Sequence, residues 1–255
     1  MRLKDKVILI TGSSTGIGKA TAELCVKEGA KLIIHGLDQE ESKETARELA
    51  MPYLAIDLKA ADSAKKLIDF SLQQFGRLDG LVNNAATVIR TNLATTDSET
   101  FDFVINTNLR APLLLIREAM PYFQAQKKAA VVNIGSVNAY CGQADLLAYS
   151  IAKAGLMTMT RNLANSFAKD GVRINQLNLG WVLSENEKAL QIAEGQATDW
   201  YQHLPTSAAP RGTLLEPNEV ARHVVFWLSD ESAPANGSVY ELEQFPFIGR
   251  LPPKE

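Results

Sequence analysis

The amino-acid sequence predicts an α/β fold, one doubly wound parallel sheet with helices on both of its faces. Three observations carry that reading. Short β-branched runs alternate with stretches of helical periodicity through most of the 255 residues. The runs are apolar at nearly every position, as parallel strands covered on both sides must be. No internal repeat and no Pro/Ser-rich linker divides the chain, so a single domain over 1–255 is expected.

The elements follow in order. A strand over 7–11 leads to a helix over 18–28 that stops at Gly29. A second strand, 31–35, precedes a charged helix over 39–49. A third strand, 53–56, is followed by a helix over 61–75 that Gly76 ends, and 81–83 forms a short fourth strand. Residues 100–123 read as one long helix despite Pro112, whose ring and missing N–H must kink it or be absorbed by neighbours. A fifth strand over 130–134, a long helix over 149–169 closed by Gly171, and a sixth strand over 172–177 come next. Right-handed crossovers between such strands generate the doubly wound sheet.

From Ser184 to Gly212 the pattern loosens, with Gly195, Pro205 and Pro210 scattered through it. A stretch this long without regular structure is usually a lid or a binding loop. Pro217 then opens a helix that runs through Ser229, and a last strand is expected over 239–242. The tail from Phe245 to Glu255 carries three prolines and no regular pattern.

Charge narrows the function classes. The 26 basic and 29 acidic residues leave a net charge of −3, which disfavours a nucleic-acid partner. No apolar run approaches the ~20 residues of a membrane span, so no membrane partner is expected. The start, Met1 to Lys6, runs directly into a strand without the apolar stretch of an export signal. Cys25 and Cys141 form no disulfide or metal pattern, and His35, His203 and His223 share no ligand spacing, so no metal is expected. The compartment reads as cytoplasmic.

Chemistry begins at Thr11-Gly12-Ser13-Ser14-Thr15-Gly16-Ile17-Gly18, between the first strand and the first helix. Glycines there permit a tight turn and close backbone approach, and the helix N-terminus offers unpaired N–H groups to a phosphate. The spacing G-x-x-x-G-x-G differs from the ordinary dinucleotide fingerprint. Together with Asn83-Asn84-Ala85 and Tyr149-Ser150-Ile151-Ala152-Lys153, it resembles the short-chain dehydrogenase/reductase family over roughly residues 5–243. That resemblance implies a Rossmann-like single domain, an NAD(P) cofactor and hydride transfer between nicotinamide and an alcohol or carbonyl carbon.

Tyr149 and Lys153 stand four residues apart in an expected helix, on one face and a turn apart. A phenol with a pKa of about 10 is a poor base, and a neighbouring ammonium is expected to lower it. Ser136 follows the fifth strand at the carboxyl edge, where open α/β sheets bind ligands and where a hydroxyl can hold a substrate oxygen. Asn108, in Asn106-Thr107-Asn108-Leu109-Arg110, is a poor residue for a helix interior and points to a local distortion with a bound water. The resemblance implies that Ser136, Tyr149 and Lys153 are catalytic, with Lys153 also holding the nicotinamide ribose. It implies Asn108 as fourth member in a water relay to Lys153, with Asn106 as the competing candidate.

The resemblance also implies cofactor contacts from Gly12, Ser14, Thr15, Gly16, Ile17 and Gly18, and from Asp57 and Leu58 at adenine. It adds Asn83, which ends the fourth strand, steadies the central sheet and faces the cofactor, then Ala85 beyond it, and Gly180, Val182 and Ser184 near the carboxamide. At the end of the second strand, Ile34-His35-Gly36-Leu37-Asp38 offers neither an acid at Gly36 nor an arginine at Leu37. Asp38 can reach the ribose diol and no basic residue occupies 13–15, so the balance favours NAD. His35 reads as a surface residue. Leu179-Gly180 replaces the family's Pro-Gly, and Gln244-Phe245 replaces a common Gly-Gly, so the tail is expected to take its own path and to help an oligomer contact.

Substrate contacts are expected from Ser136, Asn138, Gln143, Tyr149 and Trp181. Tyr140, Cys141, Asn186, Trp200 and His203 are further lining candidates. Amides and aromatics suit a sugar, a polyol or a cyclic ketone. Two alternatives stand beside this: a 3-oxoacyl-thioester (acyl-carrier) reductase, and a dinucleotide-binding sensor without turnover. The resemblance further implies a homo-oligomer, a dimer or tetramer.

Overall fold

Among residues 1–247, which the computed structural model describes apart from the Cys141 side chain, seven strands form one sheet. They are β1 (Val7–Ile10), β2 (Lys31–Gly36), β3 (Tyr53–Ala55), β4 (Gly80–Asn83), β5 (Ala129–Ser136), β6 (Val172–Leu179) and β7 (Val239–Leu242). All pairings are parallel, in the order β3-β2-β1-β4-β5-β6-β7. The order reverses between β1 and β4, which opens a crevice at their carboxyl ends.

Alternation along each strand sorts the core into two layers. Ile8, Ile10, Leu32, Ile34, Val82 and Val132 meet Ala22 and Cys25 of α1 (Gly16–Lys27) and Val220 and Val224 of α9 (Pro217–Leu228). Val7, Leu9, Ile33, Leu81 and Val131 face the other way. They pack on Leu67 of α3 (Ser63–Phe75), Leu115 and Phe123 of α5 (Ala111–Gln126) and Ala164 of α7 (Leu147–Phe167). Each fully buried Leu, Ile or Phe contributes about 1.5–3 kcal/mol.

The helix α2 (Gln39–Leu49) starts where Asp38 caps it, its carboxylate accepting from the Glu41 N–H at 2.9 Å. The long helix expected over 100–123 is divided. It consists of α4 (Ser98–Ile105), a π-helical turn over Asn106–Arg110, and α5, whose first turn accommodates Pro112. The distortion expected at Asn108 is this π turn. Strands β5 and β6 extend to Ser136 and Leu179, which pair in register, two residues beyond the apolar runs that marked them.

Asn178, one of those extra residues, joins a buried amide ladder beneath α7. Asn83 Nδ2 donates to Asn133 Oδ1 (2.8 Å), Asn133 Nδ2 to Thr160 Oγ1 (2.8 Å), and Thr160 Oγ1 toward Gln176 Oε1 (3.0 Å). Gln176 Nε2 then donates to Asn178 Oδ1 (2.7 Å). A Cβ on Gly135 would collide with the amides of Asn178 and Gln176, so the absent side chain is what admits them.

The loose segment after Ser184 contains α8 (Glu185–Ala193) and a short 3-10 turn at Trp200–Gln202. The remaining helix is α6 (Asn138–Cys141), between β5 and α7. No helix of the described residues is long and apolar enough to cross a membrane. The expected tail lies partly outside the described residues, at 248–255.

Candidate active site

A cleft of about 1410 Å³ crosses the carboxyl ends of β1, β4, β5 and β6. It exceeds the roughly 300–1,000 Å³ of an ordinary small-molecule site, and so has room for a dinucleotide beside a substrate. Its floor is the glycine turn. Gly12 and Gly16 hold φ of 63° and 55°, in the left-handed region that favours glycine. A Cβ on Gly18 would strike the Gly12 carbonyl, so the turn closes on itself only without one. Thr15, at the N-cap of α1, makes no side-chain cap bond, and no acidic residue lies in the first turn. The N–H groups and positive dipole end therefore remain available to an anion, which fits a dinucleotide's pyrophosphate.

Two side chains hold this turn. Asn84 Nδ2 donates to the Thr11 and Gly12 carbonyls at 2.9 and 3.0 Å. The Gly12 N–H donates to His35 Nδ1 at 3.0 Å, while His35 Nε2 faces the Ile56 carbonyl at 3.0 Å. These partners assign the proton to Nε2. His35 is 2% exposed, so its expected surface placement is corrected. Burial pulls its pKa down to about 4, against smaller upward effects of the Ile56 carbonyl and Asp57. His35 is a neutral strut between the first βα turn and the end of β3.

Further along the cleft lie Gly36, Leu37, Asp38, Glu41, Asp57, Leu58 and Lys59. A Cβ on Gly36 would meet Ser42 Oγ, so an acid at this position has no room. Leu37 is 74% exposed, and Lys59 pairs with Asp57 at 3.4 Å. Three carboxylates thus outnumber one engaged cation at this end. Asn83, expected both to steady the central sheet and to face the cofactor, stands in the amide ladder, 3% exposed, bonded to Asn133 of β5, while Asn84 and Ala85 line the cleft.

Tyr149, Lys153 and Ser136 line the other half, with Gly180, Val182 and Ser184 opposite. Lys153 Nζ is buried and donates to the Ile134 carbonyl at 2.8 Å, leaving two ammonium hydrogens for a ribose. Burial pulls Lys153 down to about 8. The Tyr149 phenol is pushed up to about 12, first by burial, with Ser136 opposing and the negative charge of Glu187 adding to the rise. Lys153, which is expected to lower the phenol, holds its Nζ 5.5 Å from the Tyr149 ring centre. Ser136 Oγ accepts from the Asn138 N–H at 3.2 Å, which fixes the hydroxyl beside the phenol.

Asn108 sits in the π turn, 1% exposed. Its Nδ2 donates to the carbonyls of Thr87 (2.9 Å) and Val104 (3.0 Å), and its Oδ1 accepts from the Thr87 N–H (3.3 Å). Asn108 thereby clamps the Thr87 backbone, and Thr87 lines the cleft.

At the substrate end, Asn138, Gln143 and Trp181 line the cleft, while Asn186 lines it beside the glycine turn, its Nδ2 donating to Thr15 Oγ1 at 3.1 Å. Trp200 does not: it stacks beneath Trp181, ring centres 5.1 Å apart, in a small core with Ala209 and Leu214. His203 points to Asp199 at 3.3 Å on the surface, and Tyr140 lies against Asn178 and Glu241, so neither joins the lining. The Cys141 side chain lies outside the described residues. Sequence reasoning missed Glu187, Gln191, Arg90, Phe245 and Phe247, all in the lining. The Glu243 carboxylate fills the space over Gly180 where a side chain would stand, so Gly180 again marks a close approach.

Comparison with known proteins agrees with this geometry. The sequence model of the family described as Enoyl-(Acyl carrier protein) reductase matches residues 12–243. A 3-oxoacyl-[acyl-carrier-protein] reductase of Thermotoga maritima is 32% identical over 250 residues, 95% of this chain and 98% of that one. The structure of L-sorbose reductase from Gluconobacter frateurii, complexed with NADPH and L-sorbose, superposes with a TM-score of 0.88 at 28% identity, covering 95% of this chain and 97% of that one. Levodione reductase superposes with a TM-score of 0.86 at 27% identity over the same shares. The chain therefore belongs to the short-chain dehydrogenase/reductase family, NAD(P)-dependent oxidoreductases of alcohol and carbonyl groups.

Proposed function

We propose that the chain interconverts an alcohol and a carbonyl on an uncharged small molecule, a sugar, polyol or cyclic ketone, and prefers NAD to NADP. The observation that carries this reading is the meeting of Tyr149, Ser136 and Lys153 in the cleft that also holds the glycine turn. When bound, the nicotinamide supplies or accepts the hydride. Tyr149 gives its phenolic proton to the carbonyl oxygen, or takes one from the alcohol, while Ser136 donates to that oxygen and fixes it. Lys153 holds the ribose and supports the phenolate once the substrate oxygen has taken the proton. Asn108 keeps the Thr87 wall in place and leads toward Lys153 through water.

Preference for NAD is supported by Asp38, Glu41 and Asp57 at the adenosine end, with Lys59 already paired and no arginine at Leu37. A 2′-phosphate there meets like charge. The pyrophosphate is assigned to the turn from Gly12 to Gly18, adenine to Asp57 and Leu58, and the carboxamide to Val182 and Ser184. Exposed Leu113, Ile151 and Tyr122 on α5 and α7 support association into a dimer or tetramer. The free, buried Cys25 supports a reducing, cytoplasmic setting.

A 3-oxoacyl-thioester substrate is the second reading, favoured by the Thermotoga maritima relative. A panel of sugars, polyols, cyclic ketones and acetoacetyl-CoA, each with NAD(H) and NADP(H), separates them by nicotinamide absorbance. Turnover of uncharged alcohols or ketones with NAD(H) is expected. Turnover of acetoacetyl-CoA alone would replace this reading with the second.

A further inference from the structure

The substrate end of the cleft holds a carboxylate that the proton-transfer chemistry does not use. Glu187 stands in the first turn of α8, its backbone N–H capped by Ser184 Oγ at 3.1 Å. Its Oε1 accepts from Trp181 Nε1 (2.8 Å) and from Gln191 Nε2, one turn on (3.0 Å). Trp181 is in turn held by its stack on Trp200. The carboxylate is thus fixed from two sides, and its Oε2 takes no hydrogen bond among the described residues. It lines the same cleft as Tyr149.

No cation among the described residues pairs with it. Lys188 pairs with Glu185 at 2.8 Å, and Arg90 is engaged by Asp145 and Glu194 at 2.8 and 2.7 Å. Lys153 donates to the Ile134 carbonyl and faces the ribose side. A substrate seated on Tyr149 must therefore cover a negative oxygen. An alkyl chain would strip its water and return nothing, and an anion would meet like charge. A hydroxyl replaces the lost water with a charge-assisted hydrogen bond.

Resting on the reading of the cleft given above, we propose that Glu187 is the residue that selects the substrate. Its free carboxylate oxygen accepts a hydrogen bond from a hydroxyl near the reacting carbon, which makes the substrate a neutral polyhydroxylated ketone or the corresponding polyol. Asn138 and Gln143, on the cleft wall, offer amides to the remaining hydroxyls. Alkyl ketones, oxo acids and acyl thioesters are disfavoured by the same oxygen.

The test compares kcat/KM for L-sorbose, D-fructose and dihydroxyacetone with that for 2-hexanone and levulinate, in the wild type, Glu187→Gln and Glu187→Leu. The wild type is expected to favour the hydroxylated ketones. Glu187→Leu should lower their kcat/KM by about 10- to 100-fold, as loss of a charge-assisted hydrogen bond requires, without lowering that of 2-hexanone. Glu187→Gln keeps an acceptor for Trp181 but loses the charge, so levulinate should gain relative to wild type. Nucleotide affinity, read by quenching of tryptophan fluorescence, should be the same in all three proteins, which separates selection from a folding defect. Equal loss on every ketone in both variants, or a wild type that favours 2-hexanone or levulinate, would overturn the proposal. So would a wild type that turns over none of the hydroxylated ketones. Turnover of simple secondary alcohols in that last case would leave the roles of Tyr149 and Ser136 standing.

Discussion

His35 gives the sharpest quantitative expectation. It is buried, neutral, and accepts from Gly12 through Nδ1, an arrangement that protonation must break because Nδ1 would then carry a hydrogen facing another. Burial holds its pKa near 4 in the fold, against an ordinary value of 6.5. The sign follows from linkage: below 6.5 the unfolded chain takes up a proton that the folded chain refuses, so stability falls as pH drops toward 4. At about 1.4 kcal/mol per pH unit the loss from this one group is about 3 kcal/mol. Two variants isolate it. His35→Asn places an oxygen where Nδ1 stands and retains the Gly12 bond, while His35→Gln reaches toward Ile56 and leaves Gly12 unpaired. Urea unfolding followed by tryptophan fluorescence, repeated from neutral pH to about pH 4.5, reads the difference, since the carboxylate contributions common to all three proteins cancel. The wild type should lose about 2 kcal/mol more than either variant over that interval, the rest of the loss falling below pH 4.5. At neutral pH His35→Gln should cost about 1–3 kcal/mol and weaken nucleotide binding, with His35→Asn binding nearly as wild type. Wild-type and variant stabilities that fall in parallel with pH would refute the reasoning.

Other expectations follow from the same contacts. Gly135→Ala drives a methyl into the amides of Gln176 and Asn178 and should cost about 1–3 kcal/mol, seen as a Tm lower by several degrees. Leu37→Arg supplies a partner for a 2′-phosphate, so the NADP-to-NAD ratio of affinities should rise about tenfold or more in direct binding measurements. An unchanged ratio would remove Leu37 from the adenosine site.

Much of the fold was legible because its punctuation is local. Gly76 and Gly171 take left-handed conformations at the ends they mark, and Asp38 caps α2 where a charged run begins. An asparagine inside a helix announced the π turn. The errors have physical causes too. His35 reads as a surface residue until the folded chain brings Gly12 and Ile56 to its two nitrogens, contacts that join three separate stretches of sequence. Asn83 and Asn84 are indistinguishable as a pair. The parity of β4 alone sends one into the core ladder and the other to the cleft. The helix α8 carries a local signal too: Ser184 and Glu187 stand at the spacing of a capping box, but the glycine and prolines beyond them dominate the pattern. Reading that box would have placed Glu187 on a helix next to Trp181. The substrate remained illegible because Glu187, Asn138 and Gln143 converge only through tertiary structure.

Tyr149 offers the most direct test of the proposed chemistry. In Tyr149→Phe the ring keeps its packing and loses only the proton, so kcat should fall by at least about 10²–10⁴-fold, the range of a lost general acid or base. Nucleotide affinity should stay within about twofold, because Lys153 and the glycine turn are untouched. A Tyr149→Phe protein with wild-type kcat on a turned-over alcohol or ketone would contradict the assignment of the proton to this phenol.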